Sequence, residues 1–268
     1  MKATLSIIGT ISFATVLLAQ TVSYSRPEEG LRYREVTTTA ATITTAQGPF
    51  AITTSHDAVI ALSFADGDSV FAAYESLQLN TETPMGAMSP DTAPIIGKPF
   101  ILVLHDSGHV ETIATPEVTQ EISDQSALQW QFFDFFLTLP DDELRMGTTW
   151  SDSSRAEKGG TVQFWKAEFN VVGDTTVSGI HALVVDARFK TKQVISGPGP
   201  APGMTAEAEL NGWEAGKFYF APSAGIMVGR SRKGGLSGLT NIIGGPAPMQ
   251  LQNEMTYEST IELLSSGE

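Results

Sequence analysis

The side chains best suited to acid–base or metal chemistry are four histidines, His56, His105, His109 and His181. His105 and His109 are four residues apart, a spacing that places two metal ligands on one face of a helix. Here they flank residues 106–108 (DSG), a turn sequence, and no third ligand follows nearby. We therefore predict a pair of turn residues and no metal site. The strand pattern around His181 predicts a half-buried structural residue.

Serine and carboxylate side chains are abundant, but none falls in a pattern specific to catalysis. The string nearest to a nucleophile elbow, Gly235-Leu236-Ser237-Gly238, lacks the required G-x-S-x-G spacing. Asp and Glu total 30, so a pair of carboxylates at a glycosidase spacing carries little weight. The chain has no cysteine, which excludes thiol catalysis, thiolate metal ligands and disulfides. We predict no catalytic residue, no metal site and no cofactor.

The most unusual feature is an aromatic stretch at about residues 125–137, which follows a helix cap at Ser123 or Asp124 and stops before Pro140. Its apolar side chains recur at helical spacing and extend well beyond one stripe. A helix of this kind is buried nearly all round or faces something apolar. A core helix on a concave sheet is the simpler interpretation, and the functional one adds an apolar ligand. The side chains that would bind it are Leu128, Trp130, Phe132, Phe133, Phe135 and Phe136.

Alternation of apolar and polar residues dominates the rest of the chain and predicts β-strands. Residues 249–263 indicate one half-buried strand, or two strands broken near Ser259. Residues 162–195 indicate a long antiparallel hairpin with its turn at Gly173-Asp174, and the turn sequences at 66–68 and 106–108 indicate two more. We expect roughly ten or more strands, mostly antiparallel.

These patterns predict a mainly β (α+β) fold with curved antiparallel sheets or a half-barrel, plugged by the aromatic helix at about 125–137. We divide the chain into a signal peptide at 1–19, an N-terminal β-rich half at 20–120, and the helix with a C-terminal β-rich half at 121–268. One continuous domain over 20–268 is the alternative.

The beginning of the chain has the three parts of a secretory signal peptide: Lys2, an uncharged apolar stretch from Leu5 to Leu18, and the small residue Ala19. Glycine and hydroxyl residues dilute the stretch, which disfavours an uncleaved anchor. No later apolar run has the ~20 residues of a spanning helix. We therefore predict a soluble, secreted or periplasmic protein with no integral membrane segment after cleavage.

The composition is acidic, with 16 Lys and Arg against 30 Asp and Glu and a formal net charge of −14. Such a surface repels phosphate backbones and anionic lipid headgroups. We therefore expect no nucleic-acid partner and no electrostatic docking on membranes.

Short motifs follow one another in the middle of the chain. Residues 133–140 (FDFFLTLP) precede 147–152 (GTTWSD), 169–173 (FNVVG) and 177–179 (VSG). This order, over about residues 130–190, resembles uncharacterised exported bacterial proteins whose fold is like the periplasmic lipoprotein carriers. The resemblance implies a curved antiparallel half-barrel with helices plugging its concave face, and it carries no catalytic residue across.

Three functions fit these features. The first is a non-catalytic module that binds an apolar ligand such as a lipid, favoured by the aromatic excess at 130–136 beside long amphipathic strands. The second is an envelope scaffold without a small ligand, and the third a secreted hydrolase with an unrecognised site. The oligomeric state is left open.

Overall fold

The structure, a computed structural model, describes residues 22–65, 67–125, 128–199, 201–245 and 249–264. The predicted signal peptide at 1–19 lies outside these residues. The described strands are β1 (Leu31–Thr45), β2 (Gly48–Phe64), β3 (Ser69–Thr83), β4 (Gly86–Met88), β5 (Phe100–Leu104), β6 (Val110–Ala114), β7 (Thr149–Lys158), β8 (Thr161–Val177), β9 (Ile180–Pro198), β10 (Thr205–Ala221), β11 (Ile226–Ile243) and β12 (Met249–Leu263). A short α-helix, α1, spans Gln120–Gln125, and 3-10 helices lie at Ala93–Ile95 and Leu128–Trp130.

One antiparallel sheet contains all twelve of these strands. Its order is β6-β5-β3-β2-β1-β12-β11-β10-β9-β8-β7, with β4 paired to β3. The first and last long strands meet in the middle of the sheet, where Tyr33 lies opposite Leu263 and Thr44 opposite Gln252. The prediction of a mainly β protein with many antiparallel strands is confirmed. Both predicted halves of the chain contribute strands to this sheet.

The sheet curls until its edge strands, β6 and β7, approach each other. Nε2 of His109, just before β6, lies 3.1 Å from Oδ2 of Asp152 in β7. Nζ of Lys158 donates to the backbone oxygen of Thr112 at 3.4 Å. Because every pairing along the order is antiparallel, β6 and β7 run in the same direction. No ladder pairs them in the described part of the chain, so side chains bridge this seam and the sheet is not closed.

Residues 128–139 run through the interior of the curled sheet. The ring of Phe135 contacts that of Tyr33 in β1 at 5.6 Å between centroids. The ring of Phe133 lies 6.4 Å from that of Trp165 in β8. Since β1 and β8 are well separated in the sheet order, these contacts show that the sheet wraps around the segment.

The predicted helix over 125–137 is wrong. The described part of it forms only the 3-10 helix at Leu128–Trp130, followed by irregular turns. The segment is apolar on all sides because it is buried on all sides. An irregular segment inside a curled sheet can be buried in this way just as a helix can, so the pattern does not distinguish the two. Side chains satisfy backbone groups that a helix would satisfy internally. Nη1 of Arg230 donates to the carbonyl oxygens of Asp134 at 2.6 Å and Phe135 at 3.1 Å.

Strands β8 and β9 form the predicted hairpin, but its turn is at Ser178-Gly179 rather than at Gly173-Asp174. Both turn residues have positive φ, 49° for Ser178 and 81° for Gly179, as a two-residue type I′ turn requires. Gly173 lies where the register against β9 shifts, at a β-bulge. The glycine thus marks an irregularity within the strand, not its end.

The C-terminal alternation belongs to a single strand, β12, without a break at Ser259. Ser259 is buried, and Thr37 of the neighbouring β1 donates a hydrogen bond to its hydroxyl at 3.0 Å. In the part of the chain that the structure describes, no helix combines the length and apolar character needed to cross a membrane.

Candidate ligand-binding cavity

The inner face of the sheet borders a cavity of about 350 Å³ beside the interior segment. Eight strands, β1–β3 and β8–β12, contribute lining residues, as does the segment itself at Trp130, Gln131 and Asp134. The curl of the sheet is what brings these distant parts of the chain together. The volume falls in the range of small-molecule sites in proteins, roughly 300–1,000 Å³.

The walls of the cavity are mainly polar and aromatic. The hydroxyl and amide groups come from alternate, inward-facing positions of the strands, and Gln193 donates to Gln163 across β8 and β9 at 3.3 Å. These wall residues are Thr37, Thr39, Thr54, Gln163, Thr191, Gln193 and Ser259, with rings from Trp130, Trp165, Phe189 and Tyr257. Such walls favour a ligand with hydrogen-bonding groups and a flat face.

Five charged side chains, Glu35, Asp134, Glu214, Arg230 and Arg232, lie together along the cavity and are called here the charged floor. Nη2 of Arg232 contacts Oδ2 of Asp134 at 2.6 Å and also Oε1 of Glu214. Nη2 of Arg230 lies 3.7 Å from Oε1 of Glu35. Apart from Asp134, each of these side chains is at most 7% exposed, so the pairs are shielded from water. Buried charges of this kind require close partners.

Burial and ion pairing oppose each other in the charged floor. Burial lowers the pKa of Arg230 to about 10, and the adjacent Arg232 adds to that shift. Burial would lower the pKa of Arg232 as well, but Asp134 and Glu214 hold it above its usual value. Burial raises the pKa of Glu214, whereas Arg232 and Arg230 outweigh burial and hold the pKa of Asp134 below its usual value. Three carboxylates against two guanidinium groups leave a formal excess of one negative charge.

Four side-chain nitrogen atoms of residues that line the cavity have no protein partner among the described residues: Nε1 of Trp165, Nε2 of His56, and Nε of both Arg230 and Arg232. Burial lowers the pKa of His56, so its ring is neutral near pH 7. Buried polar atoms in native structures are nearly always paired. The wall of the cavity therefore contains polar nitrogen atoms that the protein itself leaves unpaired.

The side chains predicted to bind an apolar ligand are distributed between the core and the cavity. Leu128, Phe132, Phe135 and Phe136 are buried in the main hydrophobic core. Phe133 packs against that core, and Trp130 lines the cavity. A role of these six residues in ligand binding stays a prediction.

The sequence reasoning missed the charged floor. Arg230 and Arg232 occupy the same parity of β11 as the buried residues Leu236 and Ile242. Two basic residues on the apolar side of an amphipathic strand are the pattern that could have revealed a buried ionic site.

The other three histidines lie outside the cavity lining. The amide of His105 donates to the carbonyl of His109 at 2.9 Å and so closes the β5–β6 turn. His109 pairs with Asp152 at the seam, and Nε2 of His181 lies 3.0 Å from Oδ2 of Asp174. Within the described ranges, no group of three or more His, Asp or Glu side chains could hold a metal ion.

No protein-family model matches the chain, and no curated protein matches it. Similar solved structures include OccD3 (OpdP) of Pseudomonas aeruginosa, at a TM-score of 0.27 and 9% identity over 92% of this chain and 96% of the other. An outer membrane channel from Pseudomonas putida F1 gives 0.25 and 9% over 95% and 100%. A mutant of the Rh. blastica porin gives 0.25 and 6% over 87% and 100%. Likeness at these TM-scores does not assign a function to this chain.

These comparisons nevertheless correct several predictions. The neighbours are outer-membrane proteins, which overturns the predicted resemblance to the lipoprotein carriers. The fold also differs from the predicted carrier-like half-barrel, because the interior segment contributes no plugging helix. The prediction of a soluble module for an apolar ligand or lipid, with a scaffold or a hydrolase as alternatives, is overturned by the same neighbours. The charged floor of the cavity is a separate reason against a purely apolar ligand.

The prediction of no integral membrane segment is also wrong against these neighbours. It rested on the absence of long apolar runs, a criterion that detects membrane-spanning helices only. Export of the chain is the part of the predicted localisation that agrees with outer-membrane neighbours.

Proposed function

We propose that the chain binds a small polar organic molecule, neutral or singly cationic, in the interior cavity. The observation that carries the proposal is that Nε1 of Trp165 and Nε2 of His56 are buried, lack protein partners among the described residues, and belong to residues that line the same cavity of about 350 Å³. A ligand that hydrogen-bonds both groups would remove the cost of two unpaired buried atoms, about 1–3 kcal/mol each.

The charge of the ligand follows from the charged floor. The Nη atoms of Arg232 are engaged by Asp134 and Glu214, and Nη1 of Arg230 donates to two backbone carbonyls. These Nη atoms are committed to the protein and Nη2 of Arg230 faces Glu35, so the unpaired Nε atoms alone do not supply the bidentate site that a carboxylate or phosphate would need. The excess carboxylate charge in addition repels anions and attracts a cation.

The shape of the ligand follows from the rings. Trp130, Trp165, Phe189 and Tyr257 line one cavity with threonine hydroxyls between them. Aromatic faces pack against flat or cyclic molecules, and a cation over such a face is further stabilised. A ring compound with a few polar substituents, uncharged or carrying one amine, meets both requirements.

We further propose that residues 20–268 act as one unit, because strands from both predicted halves line the cavity. The site of action that we propose is the periplasm or the outside of the cell, as export implies. The six side chains predicted from the aromatic stretch enter this proposal through Trp130, which lines the cavity, while the others support it from the core.

The test is native mass spectrometry of the exported protein, followed by calorimetric titration with neutral, amine-bearing and carboxylate-bearing ring compounds. We expect a neutral or amine compound to bind and its carboxylate analogue to bind at least tenfold more weakly. Trp165→Phe keeps the ring but removes the N–H, so affinity should fall about tenfold, the worth of one hydrogen bond.

Trp150→Phe is the matched control. Nε1 of Trp150 donates to the backbone oxygen of Thr138 at 2.9 Å, and Trp150 does not line the cavity. This variant should lose stability but keep its affinity for the ligand. Preferred binding of the carboxylate analogues, or an equal loss of affinity in both variants, would refute the proposal.

A further inference from the structure

The outer face of the sheet carries cations around one exposed indole. Trp213 in β10 is 57% exposed and lies opposite Lys190 of β9. Its diagonal neighbours on the same face are Arg188 and Lys192 of β9 and Lys233 of β11. All charged residues next to Trp213 in the sheet register are therefore basic. These five residues are called here the cationic patch.

Ion pairing within the fold does not account for the cationic patch. Lys192 pairs with Glu209 at 2.8 Å. Arg188 lies opposite Glu168 and Lys233 opposite Glu258 in the register, but neither these two cations nor Lys190 form an ion pair within 4 Å among the described residues. Lys190 also lies directly opposite another cation, Lys166 of β8. Like charges directly opposite each other in a sheet are destabilising. The arrangement costs the fold stability, which points to a role in contact with an external anion.

Two grooves lie in the outer surface, where small residues leave depressions on either side of Trp213 in the sheet register. Trp213 lines neither of them, and it also borders the interior cavity. The first, of about 610 Å³, is lined by Ala215 and Gly216, with Arg188, Lys217 and Lys233 around it. Asp186 and Glu258 also border this groove, and Asp186 is paired with Lys217 at 3.5 Å. The second, of about 710 Å³, is lined by Lys166, Lys190 and Lys192 beside Gly212. The first groove thus brings three outward-facing cations together, and the second brings four, because Arg155 of β7 also lines it.

We propose that the cationic patch docks on the surface of an anionic phospholipid bilayer, with phosphate headgroups in the two grooves and the indole of Trp213 at headgroup depth. Lysine and arginine near an anionic bilayer strengthen binding through charge, and the amphipathic indole is favoured at the membrane–water interface. The patch is charged, so it fits headgroups rather than acyl chains. The net charge of −14 averages over the whole chain and conceals this local excess of cations.

The acidic remainder of the chain sets the orientation of this contact. Six of the 16 Lys and Arg residues lie on the outer faces of β8–β11 around Trp213, together with the acidic Glu168, Asp186 and Glu209, so the negative charge of the chain lies mostly elsewhere. An anionic bilayer attracts the patch and repels the other faces. Docking is therefore expected through one face only and is expected to weaken with salt.

The test is flotation of the exported, processed protein with phosphatidylcholine vesicles that contain or lack 30% phosphatidylglycerol. We expect binding to the anionic vesicles alone, with loss at high salt. The double variant Lys190→Gln/Lys233→Gln should bind at least tenfold more weakly. In the unmodified protein, iodide should quench the exposed Trp213, and anionic vesicles should protect it from quenching. In Trp213→Ala, iodide should quench a smaller share of the tryptophan fluorescence, and adding vesicles should not change that share.

Lys98→Gln/Arg145→Gln is the matched control, because it removes the same charge from exposed positions outside the patch. It should bind as the unmodified protein does. Equal loss in the two double variants would overturn the proposal, as would equal binding to neutral and anionic vesicles. Binding to a soluble polyanion such as heparin, without binding to anionic vesicles, would also overturn it.

Discussion

Nη2 of Arg232 lies 2.6 Å from Oδ2 of Asp134, a residue 98 positions earlier in the chain. The contact ties the irregular interior segment to β11, and Nη1 of the same arginine donates to the backbone oxygen of Asp134 at 3.1 Å. One guanidinium group thus fixes both the side chain and the backbone of the segment. In a segment without helical hydrogen bonds, such side-chain donors hold the conformation.

Replacing Arg232 should be strongly destabilising. Arg232→Met leaves Asp134 and Glu214 buried without their closest cation, which costs about 3–5 kcal/mol of unfolding free energy. Urea denaturation followed by circular dichroism measures this loss. Lys233→Met changes the adjacent, exposed residue and should stay within about 0.5 kcal/mol. Similar losses in the two variants would show that the charged floor does not hold the interior segment.

Phe135 should be essential to the core. Its side chain is fully buried and contacts Tyr33, Phe132 and Phe136. Phe135→Ala should cost about 3–5 kcal/mol because it leaves a cavity inside the sheet. Phe164→Ala, at a position 37% exposed on the outer face, is the comparison and should cost less than about 1 kcal/mol. Equal midpoints of denaturation for these variants would contradict the wrapped arrangement.

The seam between β6 and β7 should depend on pH through His109. The hydrogen bond to Asp152 raises the pKa of His109 against the opposing effect of burial. Burial would raise the pKa of Asp152, but His109 holds it below its usual value. Stability from His109 is fully present below its unfolded pKa of about 6.5 and is lost as pH rises through the raised folded value. Stability from Asp152 is lost as pH falls through its lowered value.

Unfolding free energies of the protein and of His109→Gln, measured between pH 5 and 9, test this dependence. His109 is 42% exposed, so solvent screening limits the pair to about 0.2–1 kcal/mol. The difference between the two proteins should shrink as pH rises. His181→Gln, which removes an exposed partner of Asp174 far from the seam, is the control and should leave the pH dependence unchanged. A constant difference for His109→Gln across this range would rule out the seam as its origin.

A substitution in the β8–β9 turn should increase the stability of the protein. Ser178 adopts a φ of 49°, a left-handed conformation that disfavours most L-residues. Ser178→Asn produces the Asn-Gly pair preferred in type I′ turns and should stabilise the protein by about 0.5 kcal/mol. Gly179→Ala, at a φ of 81°, should destabilise it by about 1 kcal/mol. Melting temperatures that shift in the same direction for both variants would contradict the turn type.

The strands could be predicted from the sequence because their signal is local. In β12, burial alternates with sequence parity toward Ile261, as the pattern indicated. The turn of the β8–β9 hairpin was misplaced because a glycine is as suitable for a bulge as for a turn. The choice between Gly173 and Gly179 depends on the pairing with β9, which involves residues on the other side of the turn.

The interior segment and the cavity could not be predicted for a different reason. Phe132, Phe135 and Phe136 are buried by strands from across the sheet. Burial of this kind is compatible with a helix and with an irregular segment, so the spacing of the aromatic residues did not decide between them. The cavity depends on the curl of the sheet, which places Glu35 of β1 beside Arg230 of β11. The local sequence pattern of either strand does not show that these two residues lie close together. The burial of aromatic residues was foreseeable, but their conformation was not.

The pairing of β1 with β12 places the start of the first long strand beside the end of the last. The amide of Leu264 donates to the carbonyl oxygen of Arg32 at 2.8 Å, so the chain enters and leaves the sheet at neighbouring points. A short linker could join these ends, and the chain could be opened at Gly159-Gly160 between β7 and β8. Such a circular permutant would keep every strand neighbour. The architecture is therefore cyclic in its connectivity, and the order in which a ribosome delivers the strands is only one of several that could produce it.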